Sequence, residues 1–303
     1  GLSTPLNEQY RCENLVDRAI GYGIEGHIID GNNIVEVYNR ISEIVTDMRE
    51  NPRPVLIEFK TFRRRGHEEA SGTKYVPKEL MDEWEAKDPI ENYRSFLFSK
   101  KILTQQMDEA YIEDIKSEID LALESAYAEP NIIPSETAEL SDVYKPFDYK
   151  EYTPSKETTE LRFIDAISDS LKQSMRKHKD LVIMGQDIAE YGGVFKITEG
   201  FVEEFGKERV RNTPICESAI VETAMGLSIS GIKSVVEMQF ADFVTSGFNP
   251  VVNYLAKSYY RWQQEADVVV RMPCGAGVAA GPFHSQTNEA WFTKTPGLKV
   301  VYP

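Results

Sequence analysis

The sequence has little cysteine, no long apolar run and no recognisable nucleotide-binding loop. Its three cysteines, Cys12, Cys216 and Cys274, lie far apart and form no CxxC pair, which argues against a zinc site or a disulfide framework. No stretch approaches the ~20 apolar residues that a membrane helix needs. The glycine-rich run 275–281 fits neither GxGxxG nor a Walker loop. We therefore expect a protein of a reducing compartment, the cytoplasm.

Basic residues are also scarce, with 34 Lys and Arg against 49 Asp and Glu, for a formal net charge of −15. This balance argues against nucleic acid as the main ligand, because phosphate backbones require clustered Lys and Arg. Hydrophobic residues make up 41% of the chain, which is enough to build cores. The length of 303 residues predicts roughly two domains of about 150 residues each.

The first part of the chain has a β-α-β pattern. Residues 27–31 and 53–63 read as strands, and the apolar positions of 33–50 recur at helical spacing behind a cap at Asn32-Asn33. Two strongly charged helices are predicted at about 78–101 and 104–128. The stretch 129–158 is rich in proline and charge and is predicted to be a linker.

A second α/β unit is predicted from residue 159 to residue 303. Its helices are predicted around 164–175, 217–230 and 249–262, and its strands at 180–187, 232–240 and 267–272. Strands that alternate with helices predict a mostly parallel sheet, so the fold class is α/β with two such units. Ligands of these sheets bind at the carboxyl ends of the strands.

The two ends of the sequence favour an internal fragment of a longer protein. The opening Gly1–Pro5 resembles the interior of a domain, and Leu298–Tyr302 is a strand pattern that stops at Pro303. We therefore expect the first unit to be incomplete.

The segment NTPICESAIVETAMG is almost uncharged, with Glu217 at the head of a predicted helix and Glu222 five residues on. One interpretation is a first-turn glutamate that complements the helix dipole. The other is a functional carboxylate that Ile215, Ile220 and Val221 shield from water and that controls the protonation of a ring nitrogen.

Three further segments carry residues suited to chemistry. His284 follows the glycine-rich run, where it is either a proton-transfer group or a surface-loop residue. The stretch TFRRRGHEE at 61–69 is either a basic site for an anion such as a diphosphate or a solvated loop whose positive charges are balanced by its own glutamates. EMQFADF at 237–243 presents an amide and aromatic rings to a flat heteroaromatic ligand, or is ordinary core.

Taken together, these segments resemble the thiamine diphosphate-dependent decarboxylase component of the 2-oxo acid dehydrogenase complexes. Residues 1–128 resemble the later, diphosphate-binding part of its alpha subunit, through GLSTPLNEQ, YGIEGHIIDGNN and RPVLIEFKTFRRRGH. Residues 159–303 resemble the pyrimidine-binding domain of its beta subunit, through GQDIAEYGGVF, NTPICESAIVETAMG, EMQFADF and FHSQTNEAW. The order of the motifs implies an alpha-beta fusion that is most similar to the branched-chain 2-oxo acid branch.

The resemblance implies a role for each candidate residue. Glu217 would meet the aminopyrimidine ring of thiamine diphosphate and promote formation of the ylide that attacks the 2-oxo acid. His284 would help to pass the acyl group to lipoamide, and His67 would lie beside the diphosphate. The residues implied around the aminopyrimidine are Leu2, Ile215, Gln239 and Phe243. Magnesium is implied too, but its ligands would lie upstream of Gly1, so no metal ligand is assigned in this chain.

The function implied is oxidative decarboxylation of a 2-oxo acid, of the 2-oxoisovalerate type, with acyl transfer to a lipoyl-bearing acyltransferase core by a homodimer. The alternatives left open are a pyruvate or acetoin dehydrogenase component and a transketolase-like sugar enzyme. A further alternative, of another class, is a catalytically silent module that only assembles with itself or with the core.

Overall fold

The computed structural model describes residues 4–68, 70–153 and 155–303, and it divides the chain into two compact units, Gly1–Pro130 and Asn131–Pro303. Each is an α/β unit with parallel strands, as the alternation of strand and helix patterns predicted. Residues 131–158 group with the second unit and include a short helix, α7 at Glu136–Ser141. The assignment of 129–158 as a linker between domains stays a prediction.

The first unit is organised around one β-α-β crossover. Strands β1 (Glu25–Asp30) and β2 (Val55–Lys60) pair in parallel, with Ile29 opposite Phe59. The connecting helix α3 (Ile34–Glu50) begins where the side chain of Asn33 accepts a hydrogen bond from the backbone N–H of Glu36. Ile29 and Ile44 are among the buried apolar residues of this unit. This crossover confirms the predicted β-α-β pattern.

The remaining α-helices described in the first unit are short except for the last one. The prediction of a single helix at 78–101 is wrong, because one helix ends at Glu85 and a second begins at Pro89. The Asp88 carboxylate accepts hydrogen bonds from the N–H groups of Ile90 and Glu91, so it caps a second helix in which proline takes the first position. These helices are α1 (Leu6–Gln9), α2 (Arg18–Tyr22), α4 (Lys78–Glu85), α5 (Pro89–Ser99) and α6 (Gln105–Ala128).

The second unit contains a four-stranded parallel sheet in the order β4-β3-β5-β6. Its strands are β3 (Val182–Gly185), β4 (Val210–Asn212), β5 (Ser234–Glu237) and β6 (Val268–Arg271). The α-helices after α7 are α8 (Phe163–Lys177), α9 (Phe201–Phe205), α10 (Glu217–Ile229), α11 (Phe248–Pro250), α12 (Ser258–Trp262) and α13 (Ala290–Thr293). Two 3-10 segments, Ala241–Gly247 and Ala276–Val278, follow β5 and β6.

Consecutive residues of the central strands enter two different cores. Ile183 and Val235 belong to a cluster that includes Met175 of α8, whereas Met184 and Val236 belong to one that includes Ile220 of α10. Side chains of a strand alternate between its two faces, so the sheet is covered on both sides. This double burial explains the nearly continuous apolar runs of the strands and holds their carboxyl ends at a fixed edge.

Two further sequence predictions in the second unit are wrong. The helix predicted at 249–262 is divided into α11, a π-helical turn at Val251–Leu255, and α12. The strand predicted at Leu298–Tyr302 is absent, because this segment pairs with none of the described strands. Instead, the Tyr144 hydroxyl donates a hydrogen bond to the Leu298 carbonyl at 3.3 Å, and Val301 is exposed. An apolar pattern alone does not supply the neighbouring strand that a ladder requires.

Helix α10 offers a matched pair of variants that tests how it packs on the sheet. Ile220 is 1% exposed and Ile229 is 58% exposed on the same helix. We expect Ile220→Ala to lower the free energy of unfolding by about 2–5 kcal/mol, because it leaves a cavity in the core. Ile229→Ala should change it by less than about 1 kcal/mol. Urea denaturation would measure both, and equal losses would contradict this packing.

Candidate functional site

Polar side chains meet at the carboxyl edge of the parallel sheet in the second unit. Gln186 and Asp187 follow β3 directly, and Glu237 is the last residue of β5. In the ladder, Gly185 lies opposite Glu237, which lies opposite Arg271 of β6. Parallel strands place their carboxyl ends at one edge, so residues far apart in sequence come together there.

Glu217 is the first residue of α10 and is only 8% exposed. Gln186 Nε2 donates a hydrogen bond of 3.1 Å to Glu217 Oε1. Ile220 and Val221 are buried in the core on the same helix, as predicted, but the prediction that Ile215 shields the carboxylate is wrong. Ile215 lies in the loop before the helix and is 85% exposed. The Glu217 side chain is therefore buried between the start of α10 and the residue that follows β3, Gln186.

The backbone around Glu217 is also closely packed. Gly247 ends the 3-10 segment after β5, and a Cβ atom at this position would lie 3.2 Å from the Glu217 carbonyl oxygen. That distance is shorter than an ordinary van der Waals contact. The start of α10 and the end of the 3-10 segment are thereby held at a fixed separation.

Gln239 is linked to the strand end that holds Glu217. Its Nε2 donates a hydrogen bond of 2.9 Å to Asp187 Oδ2, and Asp187 directly follows Gln186. Asp187 has a φ of 58°, in the left-handed region that a non-glycine residue enters only where the surroundings hold it. The carboxylate of Asp187 therefore orients the amide that the sequence assigned to the cofactor.

Aromatic rings lie beside the predicted histidine. The ring of His284 makes edge-on contacts with Phe240, at a centroid distance of 5.0 Å, and with Phe243, at 5.3 Å. Phe240 also contacts Phe195 at 5.8 Å. The sequence prediction thus identified two residues in mutual contact, Phe243 and His284. Together the rings form an apolar wall suited to a flat ligand.

A buried carboxylate holds the loop that carries His284. Asp242 accepts hydrogen bonds from the backbone N–H of Gln286 and from its side-chain Nε2, the latter at 2.8 Å. Asn288 Nδ2 adds a bond to the Ala241 carbonyl at 3.2 Å. Asp242 and Asn288 are both buried. These contacts fix the loop on the 3-10 segment and keep the His284 ring against its aromatic neighbours.

The same edge contains an ion pair in which Glu237 is buried and Arg271 is partly buried. Glu237 Oε2 accepts hydrogen bonds from Arg271 Nε at 3.1 Å and from Arg271 Nη2 at 2.7 Å. Pairing with two hydrogen bonds offsets much of the cost of burying both charges. The Glu237 carboxylate is therefore paired with a cation, Arg271. The Glu217 carboxylate differs, because its described side-chain donor is the uncharged amide of Gln186.

Gln186, Asp187 and Asp242 were not predicted as positioning residues from the sequence. The GQD letters directly after a buried strand were a usable signal for the first two, since ligand-contacting side chains are common there. Asp242 carried no such signal, because its partner Gln286 lies 44 positions away.

The candidates of the first unit lie in and before its basic loop. His67 is exposed, and its backbone carbonyl accepts a hydrogen bond from Arg63 at 2.7 Å. Arg64 forms ion pairs with Asp88 at 2.7 Å and Glu85 at 3.0 Å. The predicted contact of Leu2 lies outside the described residues.

Within the described part of the chain, no cluster of three His, Cys, Asp or Glu side chains could hold a metal ion. The buried Glu217, with one described side-chain donor and an aromatic wall in the same unit, fits a heteroaromatic ring that donates a hydrogen bond. None of the described helices is long and apolar enough to cross a membrane.

The anchoring of the His284 loop can be tested with Asp242→Asn. Asparagine has one acceptor oxygen where Gln286 presents two donor groups, so its own amide would face a donor. We expect faster amide hydrogen exchange at residues 284–288. Asp169→Asn is the control, because Asp169 also accepts from a glutamine, Gln173, but on the exposed face of α8. Unchanged exchange in Asp242→Asn would contradict the anchoring role.

Comparison with known proteins agrees with these observations. Residues 1–135 match the dehydrogenase E1 component family, and residues 159–303 match the transketolase pyrimidine-binding domain. The 2-oxoisovalerate dehydrogenase subunit beta of Bacillus subtilis is 41% identical over 145 residues, which are 47% of this chain and 44% of that protein. The pyruvate dehydrogenase E1 component subunit beta of Staphylococcus epidermidis is 38% identical over 146 residues, 48% of this chain and 45% of that protein. The chain therefore spans less than half the length of these relatives.

Proposed function

Because this chain belongs to the E1 components of thiamine diphosphate-dependent 2-oxo acid dehydrogenases, we propose that it decarboxylates a 2-oxo acid and transfers the acyl group to lipoamide. The observation that carries this proposal is the buried Glu217 carboxylate at the sheet edge, bonded to Gln186 at 3.1 Å. A desolvated carboxylate in this position can accept a hydrogen bond from a ring nitrogen and control its protonation.

The cofactor proposed is thiamine diphosphate, which would supply the electron sink for loss of carbon dioxide. Glu217 would contact the aminopyrimidine ring, and Gln239, held by Asp187, would present its amide oxygen beside it. Phe243 and the other aromatic rings would exclude water from the ring face. Leu2, Ile215 and magnesium enter this proposal through the family resemblance alone.

The two histidines receive different roles in the proposal. His284 lies among aromatic rings on an anchored loop, which suits proton transfer while an acyl group passes to lipoamide. His67 follows three arginines, which suits a place near a diphosphate. We propose a homodimer in the cytoplasm that works with a lipoyl-bearing acyltransferase core.

The role of Glu217 is testable with Glu217→Gln, which keeps the shape and removes the charge. We expect carbon dioxide release from the 2-oxo acid to fall by about 100-fold or more, since proton transfer typically contributes about 10²–10⁴-fold. Glu222→Gln is the control, because Glu222 is exposed on the same helix and accepts from Ser218. Near-full turnover in Glu217→Gln, with unchanged thermal unfolding, would refute the assignment.

The substrate proposed is a branched-chain 2-oxo acid of the 2-oxoisovalerate type, and pyruvate is the second candidate. The 41% and 38% identities to the two kinds of relative support both. We expect kcat/KM for 2-oxoisovalerate to exceed that for pyruvate by at least about tenfold, because each buried methylene discriminates by about 10–200-fold. Steady-state kinetics with both acids would measure the ratio, and a ratio below one would favour a pyruvate dehydrogenase component.

A further inference from the structure

The end of β3 holds two proposed cofactor-facing side chains through two consecutive residues. Gln186, which is 6% exposed, donates to the buried Glu217, and Asp187 accepts from Gln239. Consecutive residues of a regular strand point to opposite faces. Gln186 and Asp187 both lie in the turn after β3, where Asp187 has a left-handed φ of 58°, so the two neighbouring side chains can serve one edge.

This strand end has little freedom to move. A Cβ atom on Gly185 would lie 2.8 Å from the Glu237 carbonyl oxygen and 3.3 Å from the Ile188 side chain. β3 is also paired on both sides, with β4 and β5. The backbone next to Gln186 is therefore held in place, and the Gln186 amide approaches Glu217 from a fixed direction.

The donor to Glu217 is uncharged. Within the described ranges, Glu217 pairs with no Lys, Arg or His, whereas Glu237 at the same edge pairs with Arg271. An amide N–H orients the carboxylate without adding a positive charge that would compete for the acceptor oxygens. A carboxylate has more acceptor positions than this one bond uses.

We propose that Gln186 is the positioning residue of Glu217: its amide holds one carboxylate oxygen, so that the other oxygen meets the cofactor ring. This inference rests on the proposed function. It assigns to Gln186 an effect on cofactor affinity that depends on whether the side chain at 186 can donate a hydrogen bond.

Two substitutions at Gln186 separate the effect of its hydrogen-bond donation to Glu217 from the effect of its packing. Gln186→Met keeps the length and removes the donor. Gln186→Glu provides a donor only when one of the two neighbouring carboxyl groups is protonated, which two adjacent carboxylates achieve more readily as the pH falls. The dissociation constant of thiamine diphosphate with Mg²⁺ would be measured by calorimetry on the whole chain between about pH 5.5 and pH 8.

For Gln186→Met we expect about tenfold weaker binding at every pH, from the loss of a hydrogen bond to a charged group. For Gln186→Glu we expect weaker binding at pH 8 and recovery towards the wild-type value as the pH falls, since the shared proton restores the donor. A packing role alone would not produce this difference between the two pH profiles. If Gln186→Met fails to fold, the profile of Gln186→Glu decides.

The control is Gln173→Met, which removes a glutamine amide that donates to Asp169 on the exposed face of α8. Its affinity should equal that of the wild type. Wild-type binding together with unchanged affinity in both Gln186 variants at every pH would overturn the inference and leave the proposed function standing. Absence of binding in the wild type would instead overturn the proposed function for this chain, and the inference with it.

Discussion

The hydrogen bond between Gln186 and the buried Glu217 is the contact on which the candidate site depends. A carboxylate that is 8% exposed needs a partner, and its partner comes from the end of another element. That partnership requires β3 and the start of α10 to stay in register. The parallel sheet, covered on both faces by apolar clusters, supplies this rigidity.

Much of the fold follows from periodicity in the sequence. The 3.6-residue spacing of apolar positions predicted α3 and α8, and the mostly apolar stretch after Glu217 predicted α10 with its first residue correct. Strands β3 and β5 were predicted from apolar runs because both faces of the sheet are covered there. The run at β6 also predicted a strand, although β6 lies at the edge of the sheet and its Val269 is 57% exposed. Fold class and the position of Glu217 at a helix start were therefore predictable.

The contacts of the site were less predictable, because they join residues far apart in sequence. Gln186 and Glu217 are separated by 31 positions, and Gln239 and Asp187 by 52. The exposure of Ile215 was missed because local sequence does not show on which side of a loop a side chain falls. Likewise, the π-helical turn at Val251–Leu255 depends on tertiary packing, which an apolar pattern does not reveal.

The most direct test of the central claim is a crystal structure of this chain with thiamine diphosphate and Mg²⁺. We expect the Glu217 carboxylate to accept a hydrogen bond from a nitrogen of the aminopyrimidine ring, at about 2.6–3.2 Å, while Gln186 keeps its own bond to the same group. A ring bound out of reach of Glu217 would show that this carboxylate does not act on the cofactor.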